Sequence, residues 1–224
     1  MTTLGNVLKQ EINDYARILM QSNPLFLAAR RGALTREHVR AYVGGLLVLI
    51  QGTIPLMQRA EARAAVLGDE ALAAHWRHKI AEEAGHDRWA KTDLASLASA
   101  GGPRTAHDAT GPLRDLLAYL RDAVDRDPCL LLAYALLAEY LTVLVGGHWL
   151  GALERHCGIP QRSVSVIANH VELDAAHAVE GAIEIDRLTT SRTEPAVMHE
   201  VLRAAIGYYE AFWRDVSAAQ VEAA

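Results

Sequence analysis

The segment His170-Val-Glu-Leu-Asp174-Ala-Ala-His177 carries three metal-ligand side chains at helical spacing. His170 and Asp174 are four apart and Asp174 and His177 three apart, so a helix projects all three from one face. At 1.5 Å rise per residue they form a stripe about 10 Å long. Glu172 points elsewhere, toward solvent. A second group is Glu82-Glu83-Ala-Gly-His86. Either glutamate can meet His86 on one helical face, and a carboxylate three residues before a histidine is the ligand spacing of di-iron carboxylate bundles. A third candidate is Glu139, alone in Leu-Leu-Ala-Tyr-Ala-Leu-Leu-Ala-Glu-Tyr-Leu-Thr-Val-Leu-Val. A glutamate in such surroundings is seldom buried unless it is paired or bound to metal. Together these supply three histidines and three or four carboxylates. Mixed imidazole and carboxylate donors suit a pair of Fe2+ ions, with manganese sharing the same ligands. Two divalent ions against three carboxylates come near charge balance, which makes burial tolerable. Each group also has a plainer reading: a helix-face hydrogen-bond network for the His170 trio, a solvated pair for Glu83 and His86, and an ion pair with an arginine for Glu139.

The elements that would position these residues are helices. Apolar residues recur at three and four along most of the chain, and nothing alternates long enough for a strand. Helices are expected near Leu4–Met20, up to Arg31, Thr35–Val66 with a kink at Pro55, from Gly68-Asp69 through Glu82, Glu83 and His86 to Gly101, and Pro112–Val124. Asp127-Pro128 opens a buried helix that ends near Cys157-Gly158. Ser163 caps a helix to about Leu188, and a last one spans Glu194–Ala219. Gly101 to Gly111 reads as the one clear loop. The expected fold is all-α, a single domain over residues 1–224 built as a bundle of about seven helices.

Composition narrows the function classes. Half of the 224 residues are apolar, the net charge is −5, and no basic stripe appears, so a nucleic-acid partner is not expected. The N-terminal segment has no signal-peptide pattern. Cys129 and Cys157 stand far apart without ligand spacing, which fits a reducing, cytoplasmic setting. The apolar stretch Cys129–Leu153 is long enough to span a bilayer, but Glu139 at its centre argues for a core helix and no membrane. His38, His75, His78, His107, His156 and His199 lack partners at ligand spacing and read as surface residues, Glu210 reads as a surface acid, and His148 reads as packing or capping.

These residues resemble the heme-oxygenase-like di-iron oxidases, within the superfamily of heme oxygenase, thiaminase II and pyrroloquinoline quinone synthase. The likeness begins at Asn23-Pro24-Leu25-Phe26 and Gly32-Ala-Leu-Thr35. It continues through Glu82-Glu83-Ala-Gly, Glu139 and the His170/Asp174/His177 trio, and closes at Phe212-Trp213. The resemblance implies a metal site built from Glu82 or Glu83, His86, Glu139, His170, Asp174 and His177. It implies an O2-dependent non-heme di-iron oxidoreductase acting on a small amino acid, amine or fatty-acid-type substrate. With the long apolar helices it also suggests a homodimer. His86 follows Glu-Glu-Ala-Gly at once, where several members place extra residues. The member that builds p-aminobenzoate from its own tyrosines has them where this chain has Ala138 and Phe26, which argues against that chemistry here.

Two other functions compete. A metal-free enzyme of the thiaminase II type would use Cys129 as nucleophile with Glu210 as acid, and would have no use for the trio. A non-catalytic metal-binding protein would use the same ligands without consuming O2. A heme oxygenase proper needs a proximal histidine in its first helix, and none occurs before His38. The lining of a substrate pocket is expected from Leu46, Leu47, Leu49, Ile50, Leu132, Leu136 and Leu144, with Tyr134 and Tyr140 as further candidates.

Overall fold

The computed structural model describes residues 3–98, 109–189 and 193–218. Helix starts follow local chemistry. Thr3 accepts a hydrogen bond from the Asn6 N–H at the head of α1 (Leu4–Ser22). Asn23 ends α1 and caps α2 (Pro24–Arg30), accepting from the Leu25 N–H with Pro24 in the first turn, where its missing N–H costs nothing. At the start of α3 (Arg36–Val66), His38 Nδ1 accepts from the Thr35 N–H at 3.2 Å, so His38 is a cap. Pro55, the expected kink position, lies inside this helix. Asp69 caps α4 (Glu70–Glu83) through the Leu72 N–H.

The sequence pattern runs one helix through Glu82, Glu83 and His86, but the chain breaks there. Ala84 is extended, and Gly85 has φ +93°, a left-handed conformation that side-chain-bearing residues seldom adopt. A separate helix, α5 (Asp87–Leu97), begins after His86. α6 (Gly111–Arg126) leads to a 3-10 turn, Pro128–Leu130, capped by Asp127. α7 (Leu131–Cys157) stops at Gly158, φ +68°. A second 3-10 turn, Gln161–Ser163, precedes α8 (Ser165–Leu188), and α9 spans Pro195–Ala218. Among the described residues there are nine α-helices and no strand. The all-α expectation holds, and the short α2 and the break at Gly85 raise the helix count above seven. Most of the expected loop Gly101–Gly111, with His107, lies outside the described residues.

α7 packs against α8, α1, α2 and α9, and α3 packs against α4, α5 and α6. α3 and Pro128–Cys157 are each long and apolar enough to cross a bilayer by length and composition. In the bundle α7 is a core element: Leu137, Leu153 and Ala133 are wholly buried. α7 crosses α8 closely at Gly146, where an added Cβ would lie 2.5 Å from Val171 Cγ2. That approach brings the ligand-type face of α8 against Glu139 of α7.

α8 has no cap of its own. Ser163, expected to cap it, ends the 3-10 turn, and the N-cap residue Val164 has no side-chain hydrogen bond to give. Asp93 of α5 does this from a distance. It is 1% exposed, and its carboxylate accepts from the Ser165 hydroxyl at 2.7 Å and the Val166 N–H at 2.8 Å. A carboxylate at a helix N-terminus also meets the positive end of the helix dipole. α5 and α8 are thereby locked one turn below His170.

Candidate metal centre

Glu82 and Glu83 are consecutive in α4 and so point about 100° apart, and the turn at Ala84–His86 brings His86 to Glu83. Glu83 Oε2 meets His86 Nδ1 at 2.9 Å. His170, from α8, stands edge-on to the His86 ring with centroids 5.0 Å apart. Donor atoms of Glu83, His86 and His170 all lie within 4.8 Å of one another. His170 Nδ1 is 2.6 Å from the Val166 carbonyl oxygen, a contact that fixes the ring and leaves Nε2 for a ligand. Trp89 stacks on His86 at 4.3 Å and closes this side of the group.

Glu82 faces a second group. Its Oε1 lies 3.4 Å from His177 Nε2 and 3.1 Å from His78 Nε2. Asp174 Oδ1 lies 3.7 Å from His177 Nδ1. Between Glu82 and Glu139 sits Lys79 of α4, its ammonium 3.1 Å from Glu82 Oε2 and 3.0 Å from Glu139 Oε1. All seven candidate residues therefore come together in two adjoining sets, Glu83 in one and Glu82 in the other. The plainer reading of Glu139 foresaw an arginine partner; the partner is a lysine 60 residues away.

The electrostatics are those of acids crowded out of water. Burial, then repulsion from Glu139 and Glu83, pushes the Asp174 carboxyl up to about 8. Burial also raises Glu139, against the pull of Lys79, and lowers His170, so its imidazole is held neutral and able to ligate. Burial opposes the Lys79 charge, but attraction to Glu139 and Glu82 outweighs it and holds the ammonium above its ordinary value. Burial works on Glu82 in the same contrary way, and Lys79 outweighs it and lowers the carboxyl. One buried atom in the second group, His177 Nδ1, has no hydrogen-bond partner, and Glu82 Oε2 meets only the Lys79 ammonium. Buried polar atoms are rarely left so. An unpartnered buried imidazole nitrogen beside a compact Glu/His/His set fits a divalent metal site in donor type.

Two spaces adjoin the centre. An apolar cavity of about 160 Å³ lies between α3, α7, α8 and α9, with Glu83, Glu139, His170 and Asp174 on its wall. Its apolar lining includes Leu46, Leu49, Ile50, Tyr134, Trp149 and Phe212. Of the residues expected there, Leu47, Leu132, Leu136, Leu144 and Tyr140 do not line it; Tyr140 instead donates to Asn13 at 2.9 Å. On the far side of Glu139 a polar cleft opens between α4 and α8, lined by His75, His78, Lys79, Glu180 and Glu184 among others.

Other residues fall elsewhere. Cys129 is buried at the turn before α7, its thiol 3.6 Å from the Leu188 carbonyl oxygen, and burial pushes it up to about 11. Neither cysteine lines the cavity. Glu210, expected at the surface, accepts from the Tyr15 hydroxyl at 2.8 Å and Asn23 Nδ2 at 3.1 Å, away from the cavity wall. His75, also expected at the surface, has a side chain only 9% exposed, 3.4 Å from Glu184, and burial pulls it down to about 4. Glu172 and His148 are exposed. Lys79, Asp93 and Trp89 went unseen in the sequence, because nothing in their neighbours along the chain marks them.

No protein-family model matches this sequence, and no curated protein does. Solved structures do. A domain of unknown function with a heme oxygenase-like fold from Shewanella denitrificans superposes with TM-score 0.78 at 18% identity, covering 93% of this chain and 90% of that one. A CADD-like protein of unknown function from Nostoc punctiforme gives 0.67 at 16% identity, covering 95% and 96%. A TenA homolog from Pseudomonas syringae pv. tomato gives 0.67 at 13% identity, covering 96% and 93%. The fold of this chain is heme oxygenase-like.

Proposed function

We propose that this protein is a non-heme di-iron oxidase that uses O2 to oxidise a small, largely apolar substrate. The observation that carries this reading is the meeting of two ligand-type groups beside an apolar cavity, with Glu83 and His170 of one and Glu139 of the other on its wall. Glu83, His86 and His170 would hold one ion, and Glu82, Glu139 and His177 the other, with Asp174 between them. A pair of Fe2+ ions bound there would supply the electrons and open coordination positions that O2 chemistry requires.

The chain's own residues do the rest. The Val166 carbonyl orients the His170 ring, and Asp93 holds the turn of α8 that carries it. Leu46, Leu49, Ile50 and Phe212 keep water from the reacting face. The cavity has the size of one that takes a benzene ring, so the oxidised part of the substrate would be an aryl group or a short alkyl chain. No lysine or arginine is among its wall residues, so an anionic group on the substrate would have no protein cation to meet inside it. The thiaminase-type reading gains nothing from the geometry, since Cys129 and Glu210 both lie off the cavity wall.

The test is anaerobic loading with Fe2+, measurement of bound iron, and rapid mixing with O2. Two irons per chain, O2 consumption above that of free Fe2+, and a transient visible absorption band are expected. Iron uptake without O2 consumption would favour a metal-storage protein, and failure to bind iron would end the metal reading.

A further inference from the structure

Among the described residues Lys79 is the one lysine or arginine placed between carboxylates of the candidate centre, and it sits in the second group only. Its residue is 9% exposed. Its ammonium bridges Glu82 and Glu139 at 3.1 and 3.0 Å, and Glu139 is itself 8% exposed. A lysine is a compact point charge on a flexible four-carbon stem, so it can fill the place of a metal ion and still leave. Among the described residues the Glu83/His86/His170 group has no such occupant: its donor atoms lie within 4.8 Å of one another.

Charge balance points the same way. Glu82, Glu83, Glu139 and Asp174 can carry four negative charges. Two divalent ions match them without Lys79, and its ammonium would then be an uncompensated buried positive charge. The structure also offers the ammonium somewhere to go. Lys79 lines the polar cleft between α4 and α8, and the same cleft presents the acids Glu180 and Glu184.

Resting on the di-metal reading above, we propose that Lys79 is a built-in placeholder cation for the second metal position. The first divalent ion binds at Glu83, His86 and His170 with Lys79 in place. The second binds at Glu82, Glu139 and His177 only as the Lys79 ammonium swings out into the α4–α8 cleft. The two positions are unequal in affinity for this reason. Before the second ion arrives, Lys79 keeps the buried acids compensated and the metal-free bundle folded.

Titration of the metal-free protein with Mn2+, followed by calorimetry and by the electron paramagnetic resonance of free Mn2+, tests this. In the wild type the second ion should bind at least about tenfold more weakly than the first, a gap of roughly 1.4 kcal/mol. In Lys79→Met the second affinity should rise by about tenfold or more while the first stays unchanged, and the metal-free variant should melt lower. A second measurement needs no variant. Acetylation by an amine-reactive ester, read by mass spectrometry, should leave Lys79 unmodified with no Mn2+ or one equivalent. Lys79 should become reactive at saturating Mn2+, with exposed Lys91 as internal control. Equal affinities in the wild type, a second ion bound no more tightly by Lys79→Met, or a Lys79 that stays unreactive at saturation would each overturn the proposal while leaving the di-metal reading intact. Absence of Mn2+ binding in both proteins would overturn the di-metal reading, and this proposal with it.

Discussion

Asp174 is the residue on which metal-free stability and metal binding pull in opposite directions. Folded, its carboxyl titrates near 8; in an unfolded chain an aspartate titrates near 3.9. Between those values the folded protein holds a proton that the unfolded chain has released. The stability this contributes is complete below about pH 4 and is lost as pH rises through about 8. Metal-free protein should therefore lose stability between about pH 4 and 8 by up to about 1.4 kcal/mol per pH unit from this group. Asp174→Asn should flatten that slope and make the metal-free protein the more stable one at about pH 8.5, while cutting iron uptake sharply. Urea unfolding of chelator-treated wild type and variant at several pH values, with iron content after reconstitution, reads both effects. Identical slopes would show that Asp174 does not carry the proton, and a variant that still took up two irons would remove Asp174 from the ligand set.

The elements matter because two of them are set by residues outside the ligand groups. α8 borrows its cap from Asp93, 73 residues away. Asp93→Ala removes two hydrogen bonds to a charged group and a favourable dipole contact, and should cost about 2–3 kcal/mol. Because that cap lies one turn from His170, Mn2+ affinity at the first position should fall as well. Lower stability with unchanged Mn2+ affinity would make Asp93 a cap and nothing more. The break between α4 and α5 depends on Gly85 at φ +93°. Gly85→Ala should cost roughly 1–2 kcal/mol, the usual penalty of a left-handed residue with a Cβ. An added Cβ there meets nothing closer than 3.8 Å, so the effect comes from backbone strain and not from crowding. A variant as stable as wild type would mean the turn relaxes into helix, and crystallography would then show whether Glu83 and His86 still meet.

At the scale of the whole molecule, what could be read in the sequence was what repeats at helical spacing. The His170/Asp174/His177 stripe, Glu139 in its apolar run and the all-α class are local patterns, and the bundle keeps them. Lys79 bridging to Glu139 and Asp93 capping α8 are pairings across 60 and 73 residues, and no window along the chain contains both partners. The placing of His86 after a break in the helix was hidden because one glycine conformation decides it. The cavity was half legible for the same reason: Leu46, Leu49 and Ile50 face it, but which residues of α7 do so depends on how that helix is rotated against α8. That rotation puts Ala138, the neighbour of Glu139, on the cavity wall, and there the substrate reading can be tested without touching a ligand. Ala138→Leu extends an apolar side chain into existing space. Burying the added carbons is favourable by about 0.8 kcal/mol each, less whatever strain the fit imposes. The metal-free variant should therefore range from unchanged to about 1 kcal/mol more stable. Its iron uptake should match wild type. Toluene, a ligand of the cavity's size and character, should raise the melting temperature of the wild type and leave that of Ala138→Leu unmoved. A variant destabilised by more than about 2 kcal/mol would show that the space is already filled by packing. An equal toluene response in both proteins would place the apolar ligand elsewhere and remove the cavity from the proposed reaction.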